Sequence, residues 1–544
     1  MAKAIRTDGL DTLAGTGGLV RLILRRDRVL LPLWVLPLAL VPLSYVASIN
    51  ELYPTAAGRQ LYADVSAHNA SFVALYGRLF GSSLGEMVAW RAGFIPVMIG
   101  LFSILTVIRH TRTEEEAGRR ELIGATVVGR HAGLAAALLT TLGANLVLGT
   151  VLALGMIGQH LPAAGSLAFG MELAAAGWAF AALAAVVAQL TSSAGSARAI
   201  AIVALGTAYV LRVVGDVSGI GDGTLAWLTW LSPIGWGQGI RPYAGDEWWP
   251  VALTAGFTVV LALAAVVLSA RRDVGAGLLP PRPGPASAAP GLRSPLALAW
   301  RLHRGLLAGW VAGFAALGVV MGGVAKGIGD LVRDSPQLTE LFARIGGANG
   351  VIDSYLASTL GLFGLIAAAY AIQAILKMRA EEASGRAEPV LATAVGRLRW
   401  AGSHLVFALL GPAAVLAVAG LTMGLTHGLN TGDVGREVPR ILGGALAQLP
   451  AVWVLAAIAV LLSGLLPRFA AVSWGALAVC LLVGLVGSAL QLDQWLVDIS
   501  PFTHIPHLPG GTPTATPLVA LSAVAALLTV AGLAGLRRRD IPVT

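Results

Sequence analysis

The sequence predicts an all-α, polytopic membrane protein with about twelve transmembrane helices, arranged as two parallel six-helix repeats. Its 544 residues are 56% hydrophobic and only 12% charged, which is more apolar surface than a water-soluble fold can bury. Lipid tolerates only helices and closed barrels, because every backbone N–H and C=O must be bonded internally. Residues 29–48 contain no charge and match the length of about 20 residues that a spanning helix needs. Such long uncharged runs favour helices over the shorter strands of a barrel.

Hydropathy along the chain predicts where the spans lie. The first six are expected at 29–48, 88–108, 133–158, 167–190, 199–214 and 250–270. The other six are expected at 305–324, 354–376, 401–426, 442–466, 469–489 and 516–536. The chain therefore divides into a first half (1–270), a proline-rich cytoplasmic linker (271–300) and a second half (301–544).

The distribution of basic residues predicts the orientation. Most of the 37 lysines and arginines lie in segments that an even number of spans puts on the same side as both termini. By the positive-inside rule, both termini of this multi-pass plasma (inner) membrane protein are expected to be cytoplasmic. Residues 17–28 have the pattern of an amphipathic, arginine-rich segment on the inner membrane face. The net charge of +9 then reflects topology, and nucleic acid is not an expected partner.

An internal repeat relates the two longest cytoplasmic loops. Residues 112–130 read RTEEEAGRRELIGATVVGR and residues 379–397 read RAEEASGRAEPVLATAVGR. Without a gap, 11 of 19 positions are identical at an offset of 267 residues. Both loops are expected to form short charged helices, the first begun by a capping box of Thr113 and Glu116. A partner with two equivalent sockets would impose such a repetition, whereas a solvated helix that neutralises its own charge is the alternative.

Ion pairs one helical turn apart are expected in both loops. The pairs so predicted are Glu115 with Arg119, Glu116 with Arg120, and Glu382 with Arg386.

The pattern E-x-x-G-x-x-E followed by A-T-x-V-G-R, between the second and third spans of a six-span unit, resembles the coupling-helix region of ABC-2-type exporter permeases. The fused twelve-span length is similar to that of actinobacterial polyketide-antibiotic and multidrug exporter permeases. The resemblance implies that the loops seat on two copies of a cytoplasmic ABC ATPase subunit, with short re-entrant helices between the fifth and sixth spans. Carried over by position, the ATPase contacts are Glu114, Glu115, Gly118, Arg119, Glu121, Arg130, Glu381, Glu382, Gly385, Arg386, Glu388 and Arg397. Pro389 replaces Leu122 in the second copy and is expected to bend or end its helix.

The chain itself lacks the sequence of a phosphate-binding loop, which requires Gly-Lys-Ser/Thr. Its three lysines, Lys3, Lys326 and Lys377, follow Ala2, Ala325 and Leu376. The chain is therefore expected to be a transport subunit without an ATPase of its own. ATP and magnesium are expected on the partner, and no cofactor is expected in this chain. The alternative is a twelve-span secondary transporter driven by an ion gradient, although neither repeated loop contains the aspartate typical of that class. A membrane-embedded enzyme is a weaker third possibility.

On the outer side, the two halves share a Ser-Pro motif before their last spans. Ser232-Pro233, with Trp236 close by, and Ser500-Pro501 are expected to form re-entrant hairpins of an outer gate or interfacial aromatic anchors. Glu172 and Arg212 are isolated ionisable residues within spans, expected to snorkel, to pair, or to line a cavity for an amphipathic export substrate such as an antibiotic, a drug or a lipid. No metal site is expected, because His504 and His507 lack a third evident ligand.

Overall fold

The computed structural model describes residues 11–221, 223–279, 284, 286–334, 347–486 and 493–540. The chain forms two compact units, which divide at Gly284 and Pro285, inside the segment predicted as a linker. The helices of unit 1 are α1 (Thr16–Arg26), α2 (Leu30–Leu52), α3 (Ala56–Ala67), α4 (Ala70–Tyr76), α5 (Leu84–Arg91), α6 (Ile95–His110), α7 (Arg112–Glu116), α8 (Arg119–Gly124), α9 (Ala132–Gly158), α10 (Ala163–Leu190), α11 (Ala194–Ser218), α12 (Pro233–Gln238) and α13 (Trp249–Ala270). Short 3₁₀ turns lie at Asp11–Leu13, Gly219–Gly221 and Ala226–Leu231.

Unit 2 has the same alternation of long apolar helices and short polar ones. Its helices are α14 (Pro295–Asp334), α15 (Gly347–Ala383), α16 (Glu388–Leu391), α17 (Arg397–Thr431), α18 (Val434–Leu446), α19 (Leu449–Leu465), α20 (Ser473–Val486), α21 (Gln494–Val497) and α22 (Ala515–Arg538). Its 3₁₀ turns lie at Pro290–Leu292, Pro467–Val472 and Pro501–His504. Across the described ranges all regular structure is helical.

The structure confirms the predicted number of spans. Among the described residues, twelve helical stretches are long and apolar enough to cross a membrane, six in each unit. They are Leu30–Leu52, Ile95–Glu116, Ala132–Gly158, Ala163–Leu190, Ala194–Ser218, Trp249–Ala270, Pro295–Lys326, Gly350–Ala383, Arg397–Thr431, Val434–Leu465, Pro467–Gly484 and Ala515–Arg538. Each overlaps a predicted span.

Small residues let the spans pack closely in both units. In unit 1, α10 packs against α6, α9 and α13, and most of its alanines are buried. A Cβ added to Gly149 of α9 would overlap the carbonyl oxygen of Gly170 in α10, and the reverse substitution would overlap Gly149. In unit 2, a Cβ on Gly464 of α19 would overlap the carbonyl oxygen of Gly532 in α22. These backbones therefore meet directly, as small residues permit between membrane helices.

Helix order brings distant loops together at two ends of unit 1. The end that carries the loop 112–130, here called the loop end, also holds α1, the start of α9, and the final turn of α13. The opposite end holds α3, α4, α5 and α12. The same loop-end arrangement recurs in unit 2, where residues 379–397 meet the last turn of α22.

Candidate functional site

The first repeated loop consists of two short helices separated by a glycine in the left-handed conformation. Gly118 has φ +67°, and its counterpart Gly385 has φ +71°. A residue with a side chain is strained there, which explains a glycine at this point of both copies. Because the backbone reverses its twist, the loop is not the single charged helix that the sequence predicts.

The predicted capping box is wrong, because Thr113 lies inside α7 and not at the position before it. The residue before α7 is Thr111, whose side chain makes no cap. Thr113 Oγ1 instead accepts a hydrogen bond from Arg198 at 3.0 Å, and Glu116 accepts one from the backbone N–H of Ala194 at 3.2 Å. Both side chains thus bind the loop to the start of α11.

The predicted ion pairs are also displaced by one residue, because the spacing rule for a continuous helix does not hold across the glycine. Arg119 donates hydrogen bonds to both carboxylate oxygens of Glu114, at 2.7 and 2.9 Å. Arg386 binds Glu381 in the same bidentate way, at 3.0 and 3.2 Å. The Glu114 carboxylate raises the pKa of Arg119. An ion pair between a glutamate and an arginine five positions apart therefore closes the glycine turn in both units.

A buried carboxylate is the centre of each loop. Glu115 is 6% exposed and accepts hydrogen bonds from Arg272, at 2.9 Å to each oxygen. Arg112 also donates to Glu115, and Arg120 lies 3.1 Å from it. We call this set the Glu115 cluster: Glu115, Arg112, Arg120 and Arg272. Because Arg272 follows the end of α13, the cluster ties the second span to the sixth.

Unit 2 repeats the cluster with one arginine fewer. Glu382, 2% exposed, accepts from Arg539 at 2.5 and 2.6 Å and lies 3.2 Å from Arg379. Ala387 stands where unit 1 has Arg120. Arg272 and Arg539 were not among the predicted site residues, although both follow a last span and are themselves 267 residues apart, the offset of the loop repeat.

The arginine that ends each motif caps a helix. Arg130 donates to the carbonyl oxygens of Ser269, Ala270 and Arg272 at 3.0 to 3.3 Å, beyond and within the last turn of α13. Arg397 donates to the carbonyl of Arg539 at 2.6 Å, after α22. A cation at this position compensates the unpaired carbonyls and the negative end of the helix dipole. Both arginines, which the sequence predicts to contact a partner, also hold the loop to the last span of their own unit.

The surface of the first loop that remains open is partly apolar. Leu122 is 74% exposed and Val127 is 95% exposed, with Glu121 and Arg119 exposed beside them. In the second loop Pro389 does not end a helix as predicted. It lies in the first turn of α16, where a missing N–H costs nothing, and it is exposed together with Ala394. Glu388 is half-buried.

In each unit, the Ser-Pro motif begins a short helix between the fifth and sixth spans. Ser232 accepts from the N–H groups of Ile234 and Gly235, at 3.2 and 3.4 Å, and Pro233 opens α12. Ser500 likewise accepts from Phe502 at 3.4 Å, and Pro501 opens the 3₁₀ turn. Trp236 donates to the carbonyl of Trp230 at 2.6 Å, which fixes α12 against the preceding turn.

Glu172 lies beneath α12, where a Cβ on Gly237 would contact its side chain at 3.4 Å. It is 4% exposed and lines a small cavity with Gln238 and Arg241. None of the described residues forms an ion pair or hydrogen bond with its carboxylate. The structure thus places Glu172 against α12, the helix that Ser232 and Pro233 begin and that contains Trp236, whereas the sequence does not connect Glu172 with this motif.

A known permease matches nearly the whole chain. The multidrug efflux system permease protein Rv1217c of Mycobacterium tuberculosis is 46% identical over 529 residues, which cover 97% of this chain and 95% of that protein. The chain belongs to this permease family. A family model, described as the C-terminal domain of the multidrug efflux system permease Rv1217c, also matches residues 292–537. This permease is accordingly a multi-pass membrane protein, and the matched region contains the second repeated loop.

Arg212 of the permease contacts a carboxylate and a backbone carbonyl within unit 1. It is fully buried, lies 3.6 Å from Asp216 and donates to the carbonyl of Val73 at 3.0 Å. Tyr209 donates to the neighbouring carbonyl of Ala74 at 3.0 Å. The predicted pairing of Arg212 with Glu172 is wrong, and neither residue snorkels, because both are enclosed by protein. Arg212 instead caps the last turn of α4.

Proposed function

We propose that this permease moves amphipathic or hydrophobic drugs, antibiotics or lipids outward, powered by two copies of a separate cytoplasmic ABC ATPase subunit that binds ATP and magnesium. The observation that carries the proposal is the repeated loop. Each unit has the same glycine turn, the same bidentate Glu–Arg pair and the same buried carboxylate bound to its last span. Two structurally equivalent loops suit two equivalent partner subunits. The relative's description as part of an efflux system agrees with separate components.

In this proposal the loop end faces the cytoplasm, and the loop residues divide into two groups. Glu115, Glu382, Arg130 and Arg397 are engaged within the chain and position the loops. Arg119, Glu121, Leu122 and Val127 form the accessible face of the first loop. Exposed aliphatic side chains beside charges are typical of a protein–protein contact. Force from the ATPase would then reach the second and sixth spans together through the Glu115 cluster.

If the accessible face binds the ATPase, substitutions there should reduce ATP-driven export without changing the stability of the permease. We expect the double substitution Leu122→Asp and Val127→Asp to lower ATP-driven drug export at least fivefold, because charges replace the apolar contact. The thermal unfolding midpoint should change little, since neither side chain is buried. The measurement is drug uptake into inside-out vesicles that contain the permease and its ATPase, together with the amount of ATPase that co-purifies.

The matched control is Leu225→Asp, because Leu225 is 46% exposed at the opposite end of unit 1. It should leave ATPase binding unchanged. Export that continues without ATP and stops when an ionophore dissipates the ion gradients would contradict the proposal and favour a secondary transporter.

The buried carboxylate of Glu172 suits a part of the substrate path that favours cationic substrates. A buried carboxylate without a charged or hydrogen-bonding partner is costly, and a cationic substrate group passing under α12 would compensate it. We expect Glu172→Gln, which keeps the shape, to reduce export of cationic amphiphiles several-fold while neutral compounds are affected less. Transport assays with matched cationic and neutral drugs test this, with Glu51→Gln, an exposed carboxylate, as control. Equal export of both drug classes by the Glu172 variant would remove the residue from the substrate path.

A further inference from the structure

A cavity of about 390 Å³ lies at the loop end of unit 1. Its walls come from α1, the first repeated loop, the start of α9 and the residues that follow α13. This volume falls within the range of about 300–1,000 Å³ found for ligand pockets. It also lies where the spanning segments α9 and α13 end, the level at which lipid headgroups meet a membrane protein.

The cavity combines an excess of positive charge with an apolar wall. Arg26, Arg120, Arg130 and Arg272 line it, against the carboxylates of Glu114 and Glu115. Both carboxylates already bind arginines, Glu114 through Arg26 at 2.6 Å and Glu115 through its cluster. Burial lowers the pKa of Arg120, against the opposing effect of Glu115, so an added anion would stabilise its charged form.

The apolar wall is supplied chiefly by α1. Leu19, Leu22 and Ile23 line the cavity, and Leu22 is also 52% exposed at its edge. Ile123 and Val128 face them from the loop. A ligand with a charged head and a hydrocarbon body matches this division, whereas a small inorganic anion would use only the arginines.

Unit 2 fills the corresponding space. At the offset of 267 residues, Trp400 replaces Gly133, Leu391 replaces Gly124 and Ala387 replaces Arg120. Trp400 and Ala387 are buried in an apolar cluster with Met378 and Leu536, against which Leu391 packs. The duplication therefore keeps the carboxylate that binds the last span but removes both the space and one of its cations.

We propose that the cavity of unit 1 binds the phosphate-bearing headgroup of an anionic membrane lipid. Arg26, Arg120 and Arg130 supply the charge that faces the phosphate, and the leucines of α1 contact the glycerol and upper acyl chain. The bound lipid joins α1 to the repeated loop, so it stabilises the loop in unit 1 only. Phosphate chemistry is shared by a free anion, which the experiment separates from the lipid.

The test uses the full chain reconstituted in nanodiscs of phosphatidylcholine alone or of phosphatidylcholine with phosphatidylglycerol. We expect phosphatidylglycerol to raise the thermal unfolding midpoint, and native mass spectrometry to find it retained on the detergent-extracted protein. Gly133→Trp and Arg120→Ala, which copy residues that unit 2 already has, should each abolish the rise and the retention. Gly143→Trp is the control on the same helix, since a Cβ there meets no atom within 4 Å.

Three outcomes overturn the proposal. The first is an equal rise with phosphatidylcholine alone. The second is an undiminished effect of phosphatidylglycerol on both Gly133→Trp and Arg120→Ala. The third is full reproduction of the rise by inorganic phosphate, which assigns the site to a free anion. None of these readouts requires ATP or transport, so the result is independent of the proposed function.

Discussion

Glu115→Gln is expected to destabilise unit 1 by about 3–5 kcal/mol, the cost typical of removing one partner from a buried ion pair. The amide keeps the shape of the side chain but leaves three guanidinium groups, those of Arg112, Arg120 and Arg272, without their shared anion. Arg112 and Arg272 are almost fully buried, so water cannot replace the carboxylate. The measurement is the unfolding midpoint of the purified permease, followed together with ATP-driven export, which should be lost with the anchored loop.

The control for this substitution is Glu121→Gln, six residues along the same loop and exposed. It should leave the midpoint unchanged. A double substitution with Arg272→Gln should cost less than the sum of the single changes, because the two groups interact directly. Strict additivity, or an unfolding midpoint for Glu115→Gln equal to that of the control, would show that the cluster does not stabilise the loop.

Gly149→Leu is expected to have the second large effect, a loss of about 1–3 kcal/mol or more from overpacking. A side chain at this position would overlap the carbonyl oxygen of Gly170 and press on Ala174, so α9 and α10 would have to separate. Separation also removes the close backbone contact that membrane helices depend on for association. A lower thermal midpoint and a reduced monodisperse fraction in size-exclusion chromatography measure it.

The comparison is Gly143→Leu, on the same helix but facing open space. It changes the same residue type by the same number of atoms, so any difference reports the contact and not helix propensity. Similar midpoints for the two variants would mean that α9 and α10 do not depend on the Gly149–Gly170 contact.

Much of the architecture was predictable because it depends on the composition of long segments. The twelve spans follow from hydropathy, since lipid leaves a chain few alternatives. The loop repeat, the glycine in each copy and the helix that Ser232 begins were also visible in the sequence. Each depends on local chemistry that residue type alone constrains.

The side-chain partners were not predictable in the same way. The pairing of Glu115 with Arg119 was expected from helix spacing, but the positive φ of Gly118 breaks that spacing. The hydrogen bonds of Arg130 to the end of α13 were not predicted, because hydropathy does not show which carbonyls lie nearby. The fully buried Arg212 looked like an isolated charge for the same reason, although it caps α4. Arg272 and Arg539 could have been found by extending the repeat to the ends of the last spans.

Both ends of the sixth span of unit 1 are held in place, one by ion pairs and hydrogen bonds and the other by stacked aromatic rings. Arg130 and the Glu115 cluster hold the end near Ala270, and Trp230 stacks on Trp249 at 5.1 Å at the other end. Trp236 packs against Phe257, in the first half of the helix, with the ring centroids 5.2 Å apart. A 22-residue helix is about 33 Å long and, without an internal proline beyond its first turn, is stiff. A displacement of the Glu115 cluster would therefore be transmitted along the whole of α13 to the stacked Trp230 and Trp249 at its other end.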